Sequence, residues 1–117
     1  MSSDWARPIV HWEIEAIDPD RQRRFYEQVF GWKIDDGPIM SIQPGLGGPE
    51  PGPAGHIRAG SMSRVSLYIQ VRDLAETMER VTANGGTVRS EPFQFPGTPT
   101  MVTIEDPEMN PLMLIQQ

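Results

Sequence analysis

The sequence predicts an α+β protein: two βαβββ modules forming a curved mixed sheet around a cleft, with the helices on the outer face. Three observations carry this. Ile9–Ile17 alternates polar and apolar residues, the period of a strand, and runs straight into a helix start and a glycine stop. A second copy of that pattern begins at Ser66. Each copy ends in short alternating segments broken by glycine and proline, which read as further strands.

In the first strand His11, Glu13 and Glu15 point one way, and Val10, Trp12, Ile14 and Ala16 the other. Asp18 caps the following helix and Pro19 takes its first position, where the missing N–H costs nothing. The helix is expected to run to about Phe30 with Phe25 and Val29 inward and Tyr26 and Phe30 as further inward candidates, while Arg21, Arg23 and Arg24 form a solvated face. Gly31 suits a left-handed helix stop. Strands are expected at Trp32–Asp35, Ile39–Gln43 and His56–Gly60. The proline- and glycine-rich segment 44–55 between the last two is a loop, and its composition leaves open whether it closes over the cleft.

The second copy starts at Arg64–Val71, with Leu67, Ile69 and Val71 on one face and Ser66, Tyr68 and Gln70 on the other. Asp73 caps a helix to about Ala83, with Leu74, Met78 and Val81 inward, ended by Asn84–Gly86. Thr87–Ser90, Thr100–Glu105 and Pro111–Gln116 read as strands, with a turn at Asp106–Asn110. His11, Ile14, Asp18, Tyr26 and Gly31 fall on Ser66, Ile69, Asp73, Val81 and Gly86 at one constant offset. Neither copy buries its sheet face and its helix alone, so the 117 residues read as a single domain, with module one at about 8–60 and module two at about 64–116.

The composition narrows the function. A net charge of −6 argues against binding nucleic acid or anionic lipid. The absence of cysteine excludes disulfides, thiolate metal sites and cysteine nucleophiles. No apolar run approaches a membrane span and the N-terminus lacks a signal-peptide pattern, so a cytoplasmic protein is expected. No serine sits in a nucleophile elbow, and the glycines at 45, 47 and 48 lack the strand-before, helix-after setting of a phosphate-binding loop.

His11 and Glu13, two apart on one strand face, are candidates for a base with its orienting carboxylate, for two metal ligands, or for a polar binding wall. With His56 they would make a two-histidine, one-carboxylate set. Tyr68 and Gln70 project from the second copy's first strand, where tyrosine would stack on a ligand and donate a hydrogen bond. Met113 offers an adaptable apolar lining. Trp12 and Trp32 read as core, and Glu15 as solvated near the strand end.

Three blocks carry a family resemblance: HWEI at 11–14 with FYEQVFGW at 25–32, VRDLA at 71–75 with ANGGTV at 83–88, and EDPEMNPLMLIQ at 105–116. Together they resemble the vicinal oxygen chelate superfamily, which contains glyoxalases, bleomycin-resistance proteins and extradiol dioxygenases. The resemblance covers about Pro8 to Gln116. It implies paired βαβββ modules, a cleft often completed by dimerisation and hence a homodimer. In the metal enzymes a divalent cation is held from the first and last strands of each module. Those positions fall on His11, on His56 or Arg58, on Ser66 and on Met113. Ser66 and Met113 stand where histidine and glutamate are usual, and both are poor ligands for hard divalent ions.

The expected function is therefore a small-molecule-binding protein without the usual metal, its ligand-binding cleft lined by His11, Glu13, His56, Arg58, Ser66, Tyr68, Gln70 and Met113. No cofactor is favoured, and a cationic ligand would suit Glu13 and Glu15. The alternatives are a metal-dependent lyase, isomerase or dioxygenase using His11, Glu13 and His56, and a non-catalytic dimerisation or regulatory domain.

Overall fold

The computed structural model describes residues 6–43 and 52–116. The architecture is α+β and the element order is β1 (Ile9–Ala16), α1 (Pro19–Phe30), β2 (Ile39–Ile42), β3 (Gly55–Ala59), β4 (Arg64–Val71), α2 (Leu74–Ala83), β5 (Thr87–Val88), β6 (Met101–Glu105) and β7 (Pro111–Gln116). The chain divides into two compact units, His11–Ser66 and Met1–Val10 with Leu67–Gln117.

In the unit His11–Ser66 the strands lie in the order β2-β3-β1. β1 pairs in parallel with β3, with Glu13 opposite His56 and Glu15 opposite Arg58. β2 pairs antiparallel with β3. The strand expected at Trp32–Asp35 contracts to a single bridge, Ile34 to Ile42, so this copy keeps the βαβββ order with one strand reduced to a point contact. Asp18 accepts from Arg21 N at 3.1 Å, and Gly31 closes α1 at φ 69°. The core is Ile14, Ala16, Ile34, Met40, Ile42 and Ile57, with Trp12, Tyr26 and Trp32 packed on it.

The inward face of α1 follows one of the expected candidates, Tyr26, and not Phe25, Val29 or Phe30. Phe25 and Val29 are 52% and 55% exposed. Tyr26 takes the inward place, stacked on Trp32 with ring centroids 4.9 Å apart and planes 7° from parallel. Trp32 in turn packs on Trp12 at 5.5 Å. Arg23 is not solvated either: it pairs with Glu27 at 3.3 Å and with Asp36.

In the other unit the order is β4-β7-β6-β5. β4 runs parallel to β7, with Tyr68 opposite Met113. β7 pairs antiparallel with β6, and β6 with β5. First strand beside fourth, fourth beside third and third beside second is the connectivity of the other unit too, so the repeat read from the sequence is a repeat of topology. Asp73 caps α2 by accepting from Glu76 N at 3.0 Å. The core is Val71, Leu74, Val102, Ile104 and Leu114, lined by Ile69, Met78, Val81, Val88 and Leu112. On β4 the expected faces are not cleanly apolar and polar: Ser66 and Tyr68 are buried and Leu67 is 38% exposed.

The DPEMN turn is held by Asp106, whose carboxylate accepts from Glu108 N, Asn110 N and Asn110 Nδ2 at 2.8–2.9 Å. The Asn110 side chain, then its backbone, keep this carboxyl below its ordinary value. The geometry leaves Met109 at φ 69°, strained for an L-residue, with its side chain 71% exposed. Met109→Gly should therefore raise stability, by about 0.5 kcal/mol once the extra freedom of glycine in the unfolded chain is subtracted. Urea denaturation checks this, and a loss of stability would show that Met109 does more than fill the turn.

Candidate functional site: a buried chain of paired charges

The parallel pairing of β1 with β3 sets two charged rows face to face. Glu13 and Glu15 alternate on β1, and His56 and Arg58 alternate on β3 in matching register. All four therefore share one face of this small sheet, and the structure joins them with His11 and Arg64 into one connected chain.

The chain starts at His11, whose Nε2 lies 2.8 Å from His56 Nδ1, with the two rings stacked at 5.0 Å. His56 Nε2 lies 2.9 Å from Glu13 Oε1. An ionised carboxylate only accepts, so His56 donates from Nε2. When His56 is neutral its Nδ1 then accepts, and His11 donates from Nε2–H. One tautomer of each histidine is thus fixed by Glu13. Arg58 grips the same carboxylate with two bonds, Nε to Oε1 at 3.0 Å and Nη2 to Oε2 at 3.1 Å. Its Nη2 also lies 3.4 Å from Glu15 Oε1. Glu15 accepts from Arg64 Nε at 2.9 Å and from Met62 N at 3.3 Å.

Glu13 and Glu15 are only 4% and 5% exposed. Burial alone would push both carboxyls up. For Glu13 the hydrogen bonds from His56 and Arg58 outweigh it and bring the value down to about 2. For Glu15 the bonds from Arg64 and Met62 N have the same direction of effect. His11 is lowered from its ordinary value, first by burial and then by the charge on His56, against a smaller opposing pull from Glu13. Glu15, read from the sequence as solvated, is instead buried and paired. The acidic wall that would suit a cationic ligand is neutralised from within by Arg58 and Arg64.

Of the sequence-derived candidates, His11, Glu13, His56 and Arg58 come together in this chain. Ser66, in the same unit, is buried. Tyr68, Gln70 and Met113 belong to the other unit. There Tyr68 is buried opposite Met113, Gln70 N donates to Pro8 O at 3.0 Å, and Met113 Sδ lies 4.0 Å from Thr103 Oγ1. Segment 44–51, the greater part of the proline- and glycine-rich loop, lies outside the described residues. Sequence reasoning missed Arg64 and the burial of Glu15. The signal for Glu15 was present: the two-residue spacing of Glu13 and Glu15 on β1 matches that of His56 and Arg58 on β3. Nothing local marks Arg64.

The register also settles which residue of β3 occupies the implied ligand position. Glu13 matches Tyr68 in the repeat; Glu13 pairs with His56 and Tyr68 with Met113. His56, not Arg58, is therefore the counterpart of Met113. The donors do not fit a divalent cation as arranged. Glu13 and His11 lie on opposite ring nitrogens of His56, so the three do not converge on one point, and both Glu13 oxygens are engaged by Arg58. Among the described residues, no group of three or more His, Asp or Glu side chains is placed to hold a metal ion. Among them, too, no helix is long and apolar enough to cross a membrane.

Comparison with known proteins agrees with the topology. A glyoxalase-like domain protein of Didymella fabae is 35% identical over 101 residues, 71% of this chain and 79% of that one. Among solved structures, a glyoxalase/bleomycin resistance protein/dioxygenase superfamily member from Vibrio splendidus superposes with a TM-score of 0.65 at 16% identity, over 96% of this chain and all of that one. The Mn(II)-bound glyoxalase from Novosphingobium aromaticivorans gives 0.59 at 19% identity, over 94% of this chain and 38% of that one. The glyoxalase-like domain family matches residues 11–115, and with the repeated βαβββ connectivity this places the chain in that family.

Proposed function

We propose that this protein binds a small organic molecule without a divalent cation, as a ligand-binding or sequestering member of its family. The observation that supports this reading is the state of Glu13: its carboxylate is filled by a two-bond guanidinium and an imidazole. A carboxylate so engaged has to lose those partners before it ligates a metal, and the loss leaves buried charges uncompensated. In this reading His11 and Arg58 contact the ligand, with Glu13 and His56 fixing the orientation of both. Ser66, Tyr68, Gln70 and Met113 are further proposed contacts, each to be tested by its alanine variant.

Elemental analysis of the purified protein, then titration of the native form and of His11→Ala with Mn²⁺, Ni²⁺ and Zn²⁺, tests the metal-free reading. The expected result is no stoichiometric binding by either form. Stoichiometric binding that His11→Ala abolishes would favour the second reading, a metal-dependent lyase, isomerase or dioxygenase, which draws support from the contiguity of His11, His56 and Glu13. A thermal-shift screen of small organic molecules against the native protein addresses the ligand. Stabilisation by none of them would favour the third reading, a non-catalytic dimerisation or regulatory domain. A cytoplasmic homodimer is part of the proposal; the exposed Phe25, Val29 and Phe30 on α1 support a partner surface, and light scattering on the eluted protein tests it.

A further inference from the structure

Arg58 has a place in the charged chain that no other described residue shares. It is the one described residue whose side chain reaches both buried carboxylates, Glu13 through two bonds and Glu15 at 3.4 Å. Arg64 serves Glu15, and His56 serves Glu13. A cation that bridges two carboxylates this deeply buried favours the ionised form of both. A guanidinium supplies that charge at every accessible pH, because it does not deprotonate, and its planar fork matches a carboxylate edge.

We propose that Arg58 is a built-in cation: it takes, inside the protein, the place that a metal ion would take between Glu13 and Glu15, and in doing so it closes the pair to external cations. Arg58 thus adds to the effect of Ser66 and Met113 in keeping this site free of metal. The inference deepens the metal-free reading above and rests on it. Take away the guanidinium but keep the volume, as in Arg58→Met, and Glu13 loses its two bonds to Arg58 while Glu15 loses the contact at 3.4 Å. Carboxylate oxygens with the nearby His56 nitrogen are a donor set suited to Mn²⁺ or Zn²⁺. The Arg58 side chain is 39% exposed, so an ion can reach this position from solvent.

The test is calorimetric titration of the full chain with Mn²⁺ alone, for the native protein, Arg58→Met, Arg58→Lys and the double variant Arg58→Met with Glu13→Gln. Near-UV circular dichroism confirms the fold of each. The expected result is that Arg58→Met binds Mn²⁺ at least ten-fold more tightly than the native protein. Arg58→Lys, which keeps a cation, should behave as native, and Glu13→Gln should remove the gain. A folded Arg58→Met that binds Mn²⁺ no more tightly than the native protein overturns the inference and leaves the metal-free reading standing. Stoichiometric binding by the native protein overturns the metal-free reading and this inference together. Should Arg58→Met fail to fold, refolding in millimolar Mn²⁺ is expected to restore it, and failure to do so also overturns the inference.

Discussion

Glu13→Ala will cost about 3–5 kcal/mol of folding stability, the range for breaking a buried ion pair from one side. The loss is large because Glu13 has several partners. Its removal takes two bonds from the Arg58 guanidinium and one from His56 Nε2–H. His56 is then no longer fixed in one tautomer, so its bond with His11 loses its direction as well. Glu13→Gln restores the shape but turns an amide N–H₂ toward a donor, and it should recover only part of the loss. Chemical denaturation measures both. A cost near zero for Glu13→Ala would mean that the carboxylate is solvated in solution and that the chain is not formed.

The same residue sets an acid limb. Its carboxyl is held down to about 2 in the folded protein against an ordinary value of 4.5. The unfolded chain therefore takes up this proton first as the pH falls. The contribution, on the order of 3 kcal/mol, is fully present above pH 4.5 and is lost as the pH drops toward 2. Glu15, also lowered, acts in the same sense. So does His11: its value lies below 6.5, and its loss begins as the pH falls under that figure, because the unfolded imidazole binds the proton more readily. Stability measured from pH 7 to pH 3 should fall throughout, and Glu13→Ala should flatten the limb below pH 4.5.

Gly55→Ala is expected to cost about 2–3 kcal/mol, at the upper end for overpacking a filled site. Gly55 opens β3, is buried, and lies directly opposite Trp12 in the β1–β3 register. A methyl group there would fall inside the Trp12 indole. The indole has little room to move: it packs against Trp32, and its Nε1–H donates to Pro53 O at 2.9 Å. The methyl must therefore displace β3 from β1, which also shifts His56 against Glu13. Thermal denaturation gives the cost, and tryptophan fluorescence reports the displaced ring. An unchanged melting temperature would show that the strand pair is looser than the register implies.

Much of the fold was legible because local rules and the repeat agreed. Asp18–Pro19, Gly31, Asp73 and Asn84–Gly86 mark both helices by capping chemistry that needs no tertiary context. The limits of β4 and β7 match the strands read at Arg64–Val71 and Pro111–Gln116. The inward face of α1 was legible only as a set of candidates that included Tyr26, since spacing does not say whether Tyr26 or Phe25 meets Trp32 once the chain returns. The candidate site was half legible. Placing His11, Glu13 and Glu15 on one strand face needed only a period of two. Glu15 was nonetheless read as solvated, because its partners Arg58 and Arg64 lie more than forty residues away and only strand pairing brings them back. A carboxylate's burial depends on its counter-ions, and those are set by register rather than by neighbours in sequence.

The central claim is that Glu13 is an ionised, buried carboxylate held by Arg58 and His56. Carbon-13 NMR titration of the Glu13 side-chain carboxyl in metal-free protein tests it most directly. The account predicts a carboxyl that stays ionised as the pH falls through 4.5 and titrates only toward about 2 or with acid unfolding. A midpoint at 4.5 or above in the folded protein would contradict it.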